Sequence, residues 1–430
     1  MKKSILSLGL LTGAISVFVL ASCSQGSTTV KDLEGNDYTI EASKDKEVVA
    51  KSLVLTAKAV SASQQKYYAL GAEVNLEGAV TTSYAGIDLT ANVAANLALK
   101  GSIGTNAYTA IYDITQKKPE TITDEQIKSA NDQLAANLKA EAILSASASM
   151  TATTEDEELK ESAELLNGIK AEANVAAFLA NATETEPLTA YGEVNAKASV
   201  AFYSLLTAVM PEGYSDFFTE SEDKKDMVAD FNVKYGIQSI PGAQHVVSAL
   251  SYYQNHTLGE TLKAFGVDMD TTINADFFES KDYQTFVTAV DQLGIEITDA
   301  KDGTLTVGLN LTGDKIGALA TLTGKKLSVE DLTNLAKLDK DKTYFKVDCT
   351  IDVVKGLPTG FKAELPDLSV ITLFSQDLPV EKLGGNLKVD YKLTTDGDVK
   401  FTKTVDPNKT YVNPEDLARQ EEAQVEDQPQ

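Results

Sequence analysis

The sequence predicts an α+β fold, predominantly antiparallel β-sheet with several short helices, arranged in two lobes. Three observations indicate it: long runs in which apolar and polar residues alternate, shorter stretches with helical spacing, and a segment near residues 206–242 that carries charge and proline. Alternation buries one face of a strand and leaves the other in water, which is typical of antiparallel sheets. A hydrophobic fraction of 43% is sufficient to build a core.

Residues 47–210 are predicted to form an Ala-rich antiparallel lobe with short helices. Alternation is clearest in Val74–Val80, Leu89–Leu99 and Val194–Phe202. Two similar stretches, beginning at Asp124 and Asp156, each predict a short acidic-capped helix that runs into a strand; Thr123 and Gln126 have capping-box spacing. True duplication and chance similarity in an Ala-rich chain both remain open.

Residues 211–242 are predicted to connect the lobes, and residues 243–405 to form a lobe of helices and antiparallel strands. A helix capped by Ser280 and ended by Gly294 should precede a hairpin that turns at Asp302-Gly303. Ser328 with Asp331 should start a short helix. A last hairpin should turn at Asp396-Gly397 and return through Val399 and Phe401, before an acidic tail, 406–430, predicted to be disordered.

The amino terminus has the pattern of a processing signal, residues 1–22. Lys2 and Lys3 precede a mostly apolar stretch, Ile5–Leu20, that serines, glycines and a threonine dilute too much for a transmembrane helix. Leu20-Ala21-Ser22-Cys23 resembles the lipobox of bacterial lipoproteins. That resemblance implies diacylglycerol on the Cys23 thiol, cleavage before Cys23 and acylation of the new amino group. The alternative is an ordinary secretory signal with a chance cysteine.

This resemblance implies that the mature chain is lipid-anchored to a membrane, with its folded part outside the cytoplasm. Residues 23–46 would then be a lipidated tether, which includes a hairpin, Thr29–Ile40, turning around Gly35-Asn36. The formal net charge of -25 disfavours contact with anionic lipid, so the lipid itself must provide the anchoring. The same acidity excludes nucleic acid as a partner.

The second cysteine, Cys349, is predicted to be a core residue. Phe345, Val347, Cys349, Ile351 and Val353 share one face of a strand, and the polar residues between them share the other. No disulfide is expected, because Cys23 is the only other cysteine.

No metal, cofactor or catalytic site is predicted. His245 and His256 lack partners at ligand spacing, and Thr257 with Glu260 indicates a new helix start directly after His256. One run has the spacing of calcium ligands but carries Ile273 where the loop requires glycine, so we interpret it as an acidic loop. Its ligand positions are Asp268, Asp270, Thr272, Asn274, Asp276 and Glu279.

The motifs of common enzyme classes are missing from the sequence. There is no Gly-x-Ser-x-Gly elbow, no phosphate-binding glycine-rich loop and no His-Glu-x-x-His. Arg419 is the only arginine, so a buried arginine clamp for carboxylate or phosphate is excluded. We therefore expect a non-catalytic protein.

A second resemblance concerns a short region near the amino terminus. Thr29–Ile40, Val48–Ala50 and Ala69–Ala72 are similar to the opening of metal-chelate solute-binding proteins of ABC transporters. The similarity ends by about residue 80, because that family continues with alternating parallel strands and helices. No binding residue is carried over.

Together these features predict a lipid-anchored, extracytoplasmic binding or surface-interaction protein. Its partners would be the membrane, through Cys23, and a small apolar ligand such as a lipid, or an envelope protein. The apolar ligand would lie on the apolar face of a curved sheet. Two alternatives remain: the solute-binding component of an ABC transporter, and a structural cell-envelope protein.

Overall fold

The computed structural model describes eleven stretches of the chain: 26–84, 86–117, 121–180, 189–199, 219–220, 224–234, 256–264, 273–316, 333, 336–369 and 382–413. The chain divides into two compact units. Unit 1 comprises residues 1–65, 75–90 and 256–393, and unit 2 comprises 66–74, 91–255 and 394–430.

Most described strands belong to a large antiparallel sheet, and several short helices accompany it, so the predicted α+β class is confirmed at that level. The strands are β1 (Ser27–Lys31), β2 (Asp37–Glu41), β3 (Ala69–Tyr84), β4 (Ile87–Ser102), β5 (Lys139–Thr153), β6 (Lys170–Ala180), β7 (Thr189–Ser199), β8 (Thr219–Glu220), β9 (Lys224–Lys234), β10 (Ile295–Lys301), β11 (Thr304–Thr312), β12 (Thr343–Asp352), β13 (Leu357–Leu365) and β14 (Lys382–Thr395). The helices are α1 (Lys46–Ser61), α2 (Gly104–Thr115), α3 (Asp124–Asn137), α4 (Lys160–Asn167), α5 (Leu258–Ala264) and α6 (Lys281–Leu293). Within these ranges, no helix is both long and apolar enough to cross a membrane.

In unit 1, strands β10 to β14 are hydrogen-bonded in chain order, and β14 is followed by β3 and β4. Helices α1 and α6 pack together, and the β1–β2 hairpin lies against α1 and β10. The core forms where these elements meet one face of the sheet. Its largest fully buried side chains are Ile40, Leu53, Leu55, Ile273, Leu293, Ile297, Leu305 and Ile351. Cys349 is also buried in this core, as predicted.

Helix α6 begins and ends where the sequence predicts. The Ser280 hydroxyl accepts a hydrogen bond from Tyr283 N at 3.1 Å, and Gly294 adopts a left-handed conformation with φ 64°. β10 and β11 then pair antiparallel around Asp302 and Gly303, both with positive φ, which confirms the predicted hairpin. The turn residues Asp302 and Gly303 thus set the strand register that brings Ile297, Leu305 and Val307 to the core.

The predicted tether contains the predicted hairpin as a packed element. β1 and β2 pair from Ser27↔Glu41 to Lys31↔Asp37, and Val30 and Ile40 are buried in the unit 1 core. Cys23 lies outside the described residues. The connecting segment 211–242 is described only at β8 and β9, and the helix predicted from Ser328 and Asp331 lies almost entirely outside the described part of the chain.

In unit 2 the strand order is β3-β4-β5-β6-β7-β9-β8. The predicted pattern of a helix running into a strand occurs twice, as α3 followed by β5 and α4 followed by β6. The expected capping box is present: the Thr123 hydroxyl accepts from Gln126 N and the Gln126 side chain accepts from Thr123 N. α2 and α3 pack on each other through a small apolar contact centred on Ala107 and Leu134.

One predicted strand does not form. The turn at Asp396–Asp398 follows β14, but described residues 399–405, including Val399 and Phe401, contain no strand. The turn is held because Asp396 Oδ1 accepts hydrogen bonds from the N–H groups of Tyr68 (2.9 Å) and Ala69 (3.2 Å). Beyond the turn, the backbone N–H groups of Thr402 and Lys403 donate hydrogen bonds to the Glu141 carboxylate instead of to the backbone of a neighbouring strand.

Candidate functional site

The histidine and calcium-like positions do not form a site within the described residues. His245, Asp268, Asp270 and Thr272 lie outside them. His256 is half-buried and directly precedes α5, which starts with the predicted capping box: Thr257 Oγ1 accepts from Glu260 N at 3.0 Å, and Glu260 Oε2 accepts from Thr257 N at 2.6 Å. His256 therefore belongs to a helix start, as its sequence neighbours predict.

The described half of the calcium-like run is a packed turn. Ile273 is buried in the unit 1 core, and the Asn274 side chain accepts a hydrogen bond from Phe277 N at 3.1 Å, which caps a 3-10 helix over Ala275–Glu279. Asp276 and Glu279 are exposed. In the described stretches, no three His, Cys, Asp or Glu side chains lie close enough together to hold a metal ion.

The sheet of unit 2 has two chemically different faces. Glu73 accepts a hydrogen bond from Asn96 at 2.9 Å, and Lys100 forms an ion pair with Glu141 at 2.7 Å, so these residues of β3, β4 and β5 share one face. The register then places Phe178 of β6 and Tyr191 of β7 beside Glu141 on that face. We call it the polar face.

On the polar face, Glu141 holds the carboxyl-terminal segment. Its buried carboxylate accepts hydrogen bonds from Lys100 Nζ (2.7 Å), Thr402 N (2.7 Å), Lys403 N (2.6 Å) and Thr402 Oγ1 (3.1 Å). Burial alone would raise the pKa of this carboxyl group, but the hydrogen bonds outweigh it and hold the pKa below its usual value. Glu141 therefore remains ionised and fixes the segment to β5.

Glu193 of β7 makes a second attachment. Its carboxylate binds Lys403 Nζ at 2.6 Å, Lys409 Nζ at 3.1 Å and the Tyr411 hydroxyl at 3.0 Å, and the Tyr411 ring packs edge-on against Tyr191. Burial opposes ionisation here too, but these donors lower the pKa of Glu193. The first residues of the acidic tail, 406–413, are thus described and include contacts to the sheet; residues 414–430 lie outside the described residues.

We call the opposite face of the same sheet the apolar face. On strands β3 to β7 it carries only Ala, Val, Leu, Met and Gly. Cross-strand rows are Leu144–Val175–Val194 and Ala146–Ala173–Ala196. The positions on this face are Leu70, Ala72 and Val74 of β3; Ala91, Val93, Ala95, Leu97, Leu99 and Gly101 of β4; the even-numbered residues 140–152 of β5; the odd-numbered residues 171–179 of β6; and the even-numbered residues 190–198 of β7.

Much of the apolar face is accessible. Leu70, Leu99 and Leu144, from three neighbouring strands, are 46%, 47% and 36% exposed, and most of the alanines and valines around them are half-buried. Large exposed apolar side chains gathered on one face usually mark a binding surface. Across β3 to β7 this face has no titratable group, so that part of it can bind through apolar contact but cannot transfer protons. It is the candidate functional site.

Sequence reasoning predicted the strands of this face but not the site. Alternation in β3, β4 and β7 shows which residues share a face, but it does not show that residues 402–411 bind the polar face around Glu141 and Glu193. The one available signal was the strict absence of polar residues at every second position of β5, β6 and β7.

No protein-family model matches the chain, and no curated protein matches it. Among solved structures, the chain is similar to the translocator domain of the autotransporter NalP from Neisseria meningitidis, with 10% identity over 82% of this chain and 96% of that one. The TM-score is 0.16, and at that value the similarity carries no conclusion about this chain.

Proposed function

We propose that this chain is a lipid-anchored, extracytoplasmic, non-catalytic binding protein, which holds an apolar ligand with a long acyl chain on the apolar face of unit 2. The single observation that supports the ligand is the exposure of Leu70, Leu99 and Leu144 on one face of β3 to β5, where that face carries no charged residue. The anchor is supported by the lipobox that ends at Cys23. The two lobes expected from the sequence are proposed to correspond to units 1 and 2, which are each compact.

An acyl chain suits this surface for two reasons. Between β3 and β7 the face is lined mainly by small side chains, so a flexible hydrocarbon can lie along these strands without meeting a charge. Covering a half-exposed leucine contributes about 1 kcal/mol, so the three leucines together contribute only about 3 kcal/mol. The ligand must therefore also cover the alanine and valine rows to reach the roughly 8 kcal/mol of a micromolar complex. The membrane that carries the anchor would also be the source of such a ligand.

Two other functions from the sequence are less well supported. The strand pairs whose register is described are antiparallel, whereas the solute-binding proteins of ABC transporters are built from alternating parallel strands and helices. A structural envelope protein would use the apolar face to contact another protein. Native mass spectrometry distinguishes this contact with a protein from binding of a small ligand.

Native mass spectrometry of the purified mature chain tests the ligand. We expect a reproducible added mass, and we expect the double substitution Leu99→Ser with Leu144→Ser to reduce its occupancy about tenfold or more, because both changes remove apolar contact area. Leu258→Ser is the matched control, since Leu258 is 48% exposed but lies in unit 1. A bare mass for the unsubstituted chain would refute the carrier and favour surface interaction.

A further inference from the structure

The chain enters the fold of unit 1 at the turn between β10 and β11. A Cβ on Gly26, the first described residue, would lie 2.7 Å from the Ala300 carbonyl oxygen and 2.8 Å from Lys301 Cβ, so the two segments are in close contact. The buried Thr28 donates a hydrogen bond from its hydroxyl to the Thr304 carbonyl at 2.7 Å. The position of Gly26 is therefore fixed against this turn.

The proposed anchor cannot lie far from it. Three peptide units join Cys23 to Gly26, and even fully extended they span no more than about 11 Å. The headgroup layer on one side of a bilayer is about 5–8 Å thick. A lipid on Cys23 would therefore keep the β10–β11 turn at the membrane surface, whatever the conformation of the residues between.

The most exposed large apolar side chain among the described residues lies at this same end. Val353 N donates a hydrogen bond to the Gly303 carbonyl at 2.8 Å, which joins the β12–β13 turn to the β10–β11 turn. A Cβ on Gly303 would lie 2.6 Å from Val354 Cγ2. Val354 is 73% exposed, and the core of unit 1 does not include it.

The charges around Val354 balance locally. Lys301 lies 3.9 Å from Asp302, and Lys355 lies 3.9 Å from Asp352, so two lysines face two aspartates in a chain whose formal net charge is -25. An acidic surface would be repelled by anionic headgroups, but the two turns carry as many lysines as aspartates in these pairs and would not be. Lys301 and Lys355 are also long enough to keep their ammonium groups among headgroups while their stems contact apolar surface.

We propose that the anchor-proximal end of unit 1, defined as Lys301–Gly303 with Val354 and Lys355, lies on the lipid bilayer, with Val354 inserted at the boundary between headgroups and acyl chains. This inference rests on the proposed lipid anchor at Cys23. It adds an orientation: unit 1 contacts the membrane through two hairpin turns instead of standing away from it on a flexible tether.

Depth-dependent quenching tests this orientation. Val354→Cys and, as a matched control, Val48→Cys are labelled with the fluorophore NBD in the full lipidated chain, reconstituted into phosphatidylcholine vesicles with or without nitroxide-labelled lipid. Val48 is 41% exposed near the start of α1, and Ser63, two residues after the far end of that helix, lies against Gly356 in the β12–β13 turn. The helix places the two labels about 20 Å apart along its axis.

We expect nitroxide lipid to quench the label at position 354 at least about three times as strongly as the label at position 48. Only the label at position 354 should show a blue-shifted emission. Flotation of the vesicles reports separately on the anchor. Equal quenching of the two labels in a chain that floats with the vesicles would overturn the orientation and leave the anchor intact. A labelled chain that does not float would overturn both.

Discussion

Asp348 is a buried acidic residue, although the alternation along β12 predicts that its face of the strand is exposed to solvent. It lies on β12 between Gly308 and Lys362 of the neighbouring strands, opposite in direction to the core residues Val347 and Cys349. Lys346 Nζ is 3.5 Å from Oδ2, but Oδ1 has no hydrogen-bond partner among the described residues. Burial, only partly offset by Lys346, raises the pKa of Asp348 to about 7.

Because its pKa is raised, Asp348 lowers the free energy of unfolding by an amount that depends on pH. Its carboxyl group in the unfolded chain ionises near pH 4, so between about pH 4 and pH 7 the folded state binds a proton that the unfolded state has lost. The free energy of unfolding contributed by this residue therefore falls as pH rises through that window. Above about pH 7 the full cost is present.

We predict that Asp348→Asn stabilises the protein in a pH-dependent way. The free energy of unfolding should rise by about 1–2 kcal/mol at pH 8 and change little at pH 4, because the substitution removes a buried charge that exists only at the higher pH. Urea unfolding at both pH values measures it. Asp390→Asn, at a half-exposed position on β14, is the control and should give changes within about 0.5 kcal/mol. Equal effects of Asp348→Asn at the two pH values would contradict the buried charge.

At the scale of elements, helix α6 shows how far local sequence determines structure. Its amphipathic spacing, its Ser280 cap and its Gly294 end were all predicted, and it places Tyr283, Val287 and Leu293 in the core. The return through Val399 and Phe401 was wrong for the opposite reason. Its alternation suits a strand, but the decisive partner, Glu141, is distant in sequence, and no local pattern reveals it.

We predict that Ser280→Ala lowers the free energy of unfolding by about 1 kcal/mol, because the Tyr283 N–H loses its cap. Gly294→Ala should cost about 1 kcal/mol as well, since alanine is strained at φ 64°. Thermal or urea unfolding measures both. Thr285→Ala, on the exposed side of the same helix, should change stability by no more than about 0.5 kcal/mol. If all three substitutions had the same effect, the caps would not be what defines this helix.

At the scale of the whole molecule, the fold class was predictable and the candidate site was not. Period-two alternation of apolar residues predicts strands without knowledge of their partners, so β3, β4 and β7 could be identified directly. The site depends on which face of the sheet binds the carboxyl-terminal segment 402–411. That is decided by contacts such as Glu193 with Tyr411, between residues far apart in sequence, for which alternation contains no information.

The membrane association of the whole chain is predicted to depend on one residue. Because the whole chain has a formal net charge of -25, its folded part should have no intrinsic affinity for an anionic bilayer, and an inserted Val354 adds too little apolar surface to hold it there. Cys23→Ala should therefore move the chain from the membrane fraction to the soluble extracytoplasmic fraction and leave the signal segment unprocessed or processed differently. Cys349→Ala, a matched change at the buried cysteine, should leave the chain on the membrane. Immunoblotting of separated fractions distinguishes the two variants, and a Cys23→Ala chain that stays membrane-bound with unchanged processing would show that something other than lipid on this thiol holds it.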